Sequence, residues 1–254
     1  MRFTGKVALI SGAGAGIGKA SASIIGREGG SVAAVDKDQG ALDRLAAEIT
    51  KAGGRALTIR ADALDEASVD GAVKKAVEGF GQIDILVNAV GGSTIIPNAG
   101  ANVDELTFAE WQRLLNFNLT GTFLFTHAVV PVMKRQGGGK IVNIASIAGR
   151  GVSRSSSSAY ATAKGGIIAL TRKLALELGQ YRINVNAIAP SLTLSERLMP
   201  IWEKRTPESQ KAQMERNPLG RVAVPEDQAK VICFLASSDA DFVNGVTIDV
   251  TGGE

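Results

Sequence analysis

VALISGAGAGIGK, residues 7–19, runs from four apolar residues through glycines at 12, 14, 16 and 18 into a segment with helical spacing. Strand, glycine turn and helix in direct succession leave backbone amides at a helix N-terminus with no side chains in front of them. Such a turn lets the main chain approach a pyrophosphate, whose negative charge is favoured at that end of a helix. A nucleotide triphosphatase uses a related turn, but it needs a glycine five residues before the glycine of Gly18-Lys19 and a hydroxyl after the lysine. Ala13 and Ala20 stand there instead, so the magnesium-holding hydroxyl is missing.

Outward from this turn, short apolar runs at 7–10, 31–35, 56–60 and 83–87 alternate with amphipathic segments at 16–28, 39–51 and 66–80. That alternation reads as βαβαβαβ. The runs VALI and DILV show no polar alternation, the pattern of parallel strands covered on both faces. Right-handed crossovers then give a doubly wound α/β sheet. Helices are expected over 107–116 and 119–134, a strand at 140–145, a helix over 160–178 and a strand at 183–188. The charged stretch 192–217 has no strand character and reads as a helical lid or flap. Pro225 can start the helix that carries 229–235, and 246–250 supplies a last, buried strand. No linker or repeat divides residues 1–254, which are expected to form one domain; SRSSSSA at 153–159 is a brief low-complexity patch.

With 254 residues, 45% hydrophobic and 21% charged, the chain can bury a full core and resembles neither a disordered segment nor a coiled coil. One cysteine, Cys233, and one histidine, His127, are too few for an internal disulfide or a zinc cage, so a reducing, cytoplasmic setting and a metal-free site are the expectation. The 28 basic residues are scattered among 25 acidic ones for a net charge of +3, without the basic stripe of a nucleic-acid binder. The apolar run at 119–133 is interrupted by threonines, His127 and Pro131, and the N-terminus leads straight into a strand; neither an export signal nor a membrane span is read.

Asp36 closes the second strand eighteen residues after Gly18. A carboxylate there can accept hydrogen bonds from both adenosine ribose hydroxyls, whereas a 2′-phosphate would bring negative charge against it. NAD(H) is therefore expected in preference to NADP(H), with Lys37 as a partly offsetting neighbour. Asp62 after the third strand is read either as an adenine contact or as a helix cap. Asn88, Gly91 and Gly92, where the fourth strand ends, fall at the carboxyl edge where open parallel sheets bind ligands.

Tyr160 and Lys164, four residues apart, share one helical face, and Ser146 ends the strand before them. Reducing a carbonyl by hydride requires a proton donor at the oxygen, and the reverse reaction requires its acceptor. A free phenol, with a pKa near 10, is a poor acceptor at neutral pH, and a neighbouring ammonium favours the phenolate. Ser146 can orient the substrate oxygen beside Tyr160, and Asn118 can continue a proton path from Lys164 by a side-chain or water link. A serine hydrolase would need a G-x-S-x-G elbow with its histidine later in the chain. No such pentapeptide occurs, and His127 precedes Ser146. Lying among Phe123, Phe125, Val129 and Val130, His127 reads as a core or subunit-contact residue.

Together these residues resemble the short-chain dehydrogenase/reductase family in its classical form, of the 3-oxoacyl-carrier-protein reductase-like kind. SGAGAGIG is similar to its TGxxxGxG turn, Ser146 and YATAK to its serine and YxxxK element, and Asn118 in NLTG to its fourth catalytic position. The resemblance implies a single-domain Rossmann-like fold with a seven-stranded sheet, a homotetramer, and cofactor contacts at Gly12, Gly16, Ile17, Gly18, Asp36, Asp62, Ala63, Asn88, Gly91, Tyr160, Lys164, Pro190, Ser191, Thr193 and Ser195. Two departures stand out: NNAG reads NAVG at 88–91, and the glycine after Pro190 is Ser191, which has less backbone freedom. The expected activity is interconversion of a secondary alcohol (polyol, sugar or hydroxy acid) with its ketone. A non-catalytic NAD-binding regulator, or an epimerase or dehydratase that retains NAD, would share the nucleotide half. Arg150, Arg154, Arg197, Lys204 and Arg205 could bind an anionic group or simply face solvent, and Met199 and Trp202 could cover a substrate.

Overall fold

The computed structural model describes residues 1–151, 153 and 155–254. Seven parallel strands form one sheet in the order β3-β2-β1-β4-β5-β6-β7. They are β1 (Val7–Ser11), β2 (Ser31–Asp36), β3 (Arg55–Arg60), β4 (Ile85–Asn88), β5 (Gly139–Ile144), β6 (Ile183–Pro190) and β7 (Thr247–Val250). The order reverses between β1 and β4, and a topological switch point of this kind opens a crevice at the carboxyl ends of the strands.

Alternate residues of the central strands feed two cores. Ala8, Ile10, Val32, Ala34 and Val87 point to one face, where they meet Ile24 and Ile25 of α1 (Gly16–Arg27), Leu42 and Leu45 of α2 (Gln39–Lys51) and Ile232 of α9 (Pro225–Leu235). Leu9, Ala33, Val35 and Leu86 point to the other. They meet Val69 and Val73 of α3 (Glu66–Phe80), Phe125 and Val129 of α5 (Gly121–Gln136) and Leu178 of α6 (Ser158–Leu178). Burial of both faces explains the unbroken apolar runs of the central strands. β7 departs from the expectation of a buried strand: it is the sheet edge, its residues are only partly covered, and Asp249 is exposed.

The fourth strand begins two residues later than its apolar run because the Gln136 side chain takes both Ile83 main-chain groups, at 2.9 and 3.0 Å. Thr107 caps α4 (Phe108–Leu115) reciprocally with Glu110, a capping box. The expected break between the two long helices is a π turn, Asn116–Thr120, in which the Gly121 amide donates to the Asn116 carbonyl. α6 starts two residues early because the Ser157 hydroxyl caps it by accepting from the Tyr160 amide at 3.4 Å. Within 192–217 lie α7 (Met199–Glu203) and α8 (Pro207–Glu215).

A buried polar line crosses β4 and β5 beneath the crevice. Asn88 Nδ2 donates to Thr126 Oγ1 on α5 at 3.0 Å and to Asn143 Oδ1 at 2.9 Å, and Asn143 Nδ2 donates to Thr171 Oγ1 on α6 at 2.9 Å. The line fixes both helices against the sheet at the level of the site. Removing its middle member strands a buried donor on Asn88. Asn143→Ala is expected to lower unfolding free energy by about 1–3 kcal/mol in urea titrations, and an unchanged midpoint would show the line to be dispensable.

Candidate active site

The loops leaving β1 to β6 surround one crevice of about 1550 Å³. Sites for a single small molecule usually span about 300–1,000 Å³, so this one has room for a dinucleotide and a second reactant. Its wall includes Gly12, Gly16, Ile17, Asp36, Asp62, Ala63, Gly91, Ser146, Tyr160, Lys164, Pro190, Ser191, Thr193 and Ser195. Three expected residues lie behind the wall. A side chain at Gly18 would run into the Gly12 carbonyl, so this glycine lets α1 pack against the turn. Asn88 is turned into the polar line, and Asn118 is fully buried.

At the nucleotide end, Ala15 precedes α1 and offers no side-chain cap, so the first-turn amides beyond Gly16 are left without a capping side chain. Asp36 is held rigidly: Oδ2 accepts from the Gly14 amide at 3.0 Å and Oδ1 from the Asp38 amide at 3.1 Å. Among the described residues Lys37 makes no ion pair with it. The uncapped start of α1 and a carboxylate oriented by the Gly14 amide, 22 residues from it in sequence, suit the pyrophosphate and ribose of a dinucleotide. Asp62 accepts from the Leu64 amide at 2.9 Å, and the cap of α3 is Asp65, so the alternative reading of Asp62 as that cap is corrected.

Glu196 was not expected here. Its Oε2 accepts from the Gly16 amide at 2.8 Å, and Lys19 lies 3.6 Å from its other oxygen. Partial burial pushes its pKa up, but its own amide, that of Gly16 and Lys19 outweigh burial and hold it below the usual carboxylate range. The lid segment is thereby pinned to the glycine turn, a contact between residues 180 apart that no local pattern announces.

At the reacting end, Tyr160 rests partly exposed on Ile95, Ile96, Leu114 and Trp111 while its ring faces the crevice. Lys164, only 2% exposed, donates from Nζ to the Ile144 carbonyl at 2.7 Å. Its pKa falls to about 7, first because burial strips water from the ammonium and second because Arg197 repels it. The Tyr160 pKa is raised: burial outweighs the opposing effects of the Ser146 hydroxyl and Arg197. Burial by the chain's own atoms thus favours the neutral phenol over the phenolate. The Lys164 ammonium is turned to a carbonyl, 5.8 Å from the centre of the ring.

Asn118 sits in the π turn. Its Oδ1 accepts from the Gly92 amide at 2.8 Å, and its Nδ2 donates to the carbonyls of Gly92 and Leu114 at 3.1 and 3.0 Å. The side chain therefore clamps the 91–92 loop, with no direct bond to Lys164. Both nevertheless converge on Gly91, where a Cβ would stand 2.8 Å from Asn118 Oδ1 and 3.0 Å from Lys164 Nζ. Ser191 needs no glycine-like freedom, since among the described residues Arg182 is the one non-glycine with positive φ. The Thr193 hydroxyl is occupied, donating to the Ser191 carbonyl at 3.2 Å and accepting from Gln228 at 3.3 Å.

Arg197 enters the crevice and Nη2 donates to the Gly91 carbonyl at 3.2 Å, while Arg150 is tied to Asp249 at 3.1 Å. Arg205 also lines the wall, Lys204 does not, and Arg154 lies outside the described residues. His127 is exposed rather than in a core, stacked on Phe123 with ring centres 5.6 Å apart. Among the described residues no helix is long and apolar enough to cross a membrane.

A family model described as Enoyl-(Acyl carrier protein) reductase matches residues 12–254. The chain is 38% identical over 253 residues to (2S)-[(R)-hydroxy(phenyl)methyl]succinyl-CoA dehydrogenase subunit BbsD of Thauera aromatica, covering 100% of this chain and 98% of that one. It is 37% identical over 257 residues to a 3-oxoacyl-[acyl-carrier-protein] reductase of Thermotoga maritima, covering 100% and 99%. A crystal structure of a 3-oxoacyl-[acyl-carrier protein] reductase with bound NAD from Brucella melitensis superposes with a TM-score of 0.88 at 33% identity, covering 99% of this chain and 93% of that one. With this fold and these matches, the chain belongs to the short-chain dehydrogenase/reductase family.

The buried lysine has a stability signature. In the unfolded chain Lys164 keeps its ordinary value near 10.5, so above about pH 7 the unfolded state binds a proton that the folded state has released. Stability owed to this group therefore rises with pH between those values, and below them the slope vanishes. Urea titrations at about pH 7 and about pH 9.5 are expected to move the difference between native protein and Lys164→Met in favour of native at the higher pH. A difference that does not change with pH would contradict the depressed lysine.

Proposed function

We propose that the protein interconverts a secondary alcohol, a polyol, sugar or hydroxy acid, with its ketone, using NAD(H) in preference to NADP(H). The observation that carries this reading is the single crevice in which Asp36 stands at one end and Ser146, Tyr160 and Lys164 at the other. The relatives above are a dehydrogenase and a reductase by name, and the superposed Brucella structure holds NAD.

NAD(H), when bound, supplies or accepts the hydride at the substrate carbon. The chain's own groups handle the oxygen. Ser146 hydrogen-bonds it, and Tyr160 gives it a proton in reduction and takes one in oxidation. A phenol kept protonated by burial is in the form needed for donation. Lys164 and Asn118, both within reach of Gly91, stabilise charge developing at Tyr160 and link it to the interior of the π turn. Residues 192–217, pinned through Glu196, close the crevice and exclude water. The exposed Phe123–His127 stack suits a subunit contact within the proposed homotetramer, and the setting is cytoplasmic.

With a panel of secondary alcohols, Tyr160→Phe is expected to lower kcat by about 10²–10⁴-fold while the Kd for NAD stays measurable; near-native turnover would remove Tyr160 from the proton path. In the same assays Asp36→Ala is expected to weaken NAD binding about tenfold or more and to narrow the margin over NADP. Equal constants for both cofactors before and after the change would refute the ribose contact.

A further inference from the structure

Three arginines of the 192–217 segment, Arg197, Arg205 and Arg216, line the crevice. Arg150, also on the wall, is answered by Asp249 and the Thr247 carbonyl, and Lys37 stands beside Asp36 in sequence. Among the described residues, the three lid arginines have no carboxylate within 4.0 Å. The acidic groups nearby in sequence are spent elsewhere or face outward. Glu196 holds the Gly16 amide, Glu215 pairs with Lys211 along α8 at 3.7 Å, and Glu203 and Glu208 lie off the wall. Glu254 is on the wall, bonded to Gln213 at 3.5 Å.

Arg197 is the innermost of the three. Its Nη2 donates to the Gly91 carbonyl, and its guanidinium fills the space a side chain on Gly92 would take. Lys164 Nζ approaches Gly91 from within the fold, so two cations bracket the 91–92 loop. Arg197 repels Lys164 strongly enough to help lower its pKa. A guanidinium offers five donors in a planar fork, and a single 3.2 Å bond to a carbonyl uses one of them. Arg205, also on the wall, lies over the Trp202 ring, 5.5 Å from its centre. Uncompensated like charges converging on one cavity repel each other, and an anion between them relieves that repulsion.

We infer that the substrate of this site carries an acidic group, a carboxylate, sulfonate or phosphate, and that Arg197 binds it by paired hydrogen bonds while Arg205 and Arg216 draw it in. The inference rests on the alcohol–ketone reading above and narrows it to acidic substrates. The other anion that could claim Arg197 is the cofactor's own pyrophosphate.

The test uses hydroxy acids of increasing chain length, each paired with its neutral methyl ester. Native protein is expected to favour the acid in kcat/KM by about ten- to a hundredfold at one chain length or more, and Arg197→Met to bring that ratio down towards one, with Arg197→Lys between them. Calorimetry of keto acids against keto esters, added to the protein with saturating NAD, reads the same preference without turnover. A ratio near one in the native protein, by both readouts, overturns the inference. So does an Arg197→Met variant that loses acid and ester alike, or that loses NAD affinity with the acid preference intact, which would assign Arg197 to the cofactor. If no alcohol in the panel is oxidised, the oxidoreductase reading fails, and the calorimetric comparison still decides whether Arg197 binds acids.

Discussion

The hydrogen bond from Lys164 to the Ile144 carbonyl joins α6 to the carboxyl end of β5, and the placement of Tyr160 and Lys164 depends on it. An ammonium inside a protein must be paired or bonded, and here the sheet's own last carbonyl meets that demand. The bond fixes the rotation of α6, which brings Tyr160, one turn earlier, to the crevice beside Ser146. Lower on the same helix, Thr171 receives the Asn143 side chain. Two bonds at different heights hold the helix in one orientation, and apolar packing of Ala175 and Leu178 supplies the rest.

The sheet does for the nucleotide half what this bond does for the reacting half. Because β1 and β4 are neighbours, the turns after them face each other: Gly12 and Ala89 nearly touch, and a Cβ at Gly12 would fall 2.9 Å from the Ala89 carbonyl carbon. Asp36 comes to the same place from β2 and is aimed by two main-chain amides. One cleft thus holds the fixed Asp36 carboxylate together with Lys164 and the arginines of the 192–217 segment.

Most of the fold was legible because parallel strands covered on both faces leave an apolar run, and helices between them leave a period near 3.6. β1, β2 and α3 fall close to their sequence patterns. The apolar run did not fix the start of β4, where Gln136 answers the Ile83 main chain from 53 residues away. Nor did the pattern at 246–250 reveal that β7 has a neighbour on one side only. In the site, Gly12, Asp36, Ser146, Tyr160 and Lys164 were found from residue type and spacing, and all reach the crevice. Asn88 and Asn118 were identified as site residues, but their bonds to the polar line and to the 91–92 loop were not legible, since an asparagine's amide serves a buried main chain or a ligand equally well. Glu196 acts through a contact 180 residues distant, and Ile144 through its carbonyl, so neither is signalled by side-chain type and spacing.

The π turn at Asn116–Thr120 places one more residue in its loop than an α-helix would. Each residue advances a helix by roughly 100°, so deleting one there would swing all of α5 about its axis relative to α4. Phe125 and Val129 would leave the sheet and Phe123 and His127 would turn inward. This short stretch therefore works as a phase adjuster between two helices, and its length should tolerate insertions and deletions far less well than its residue types tolerate exchange.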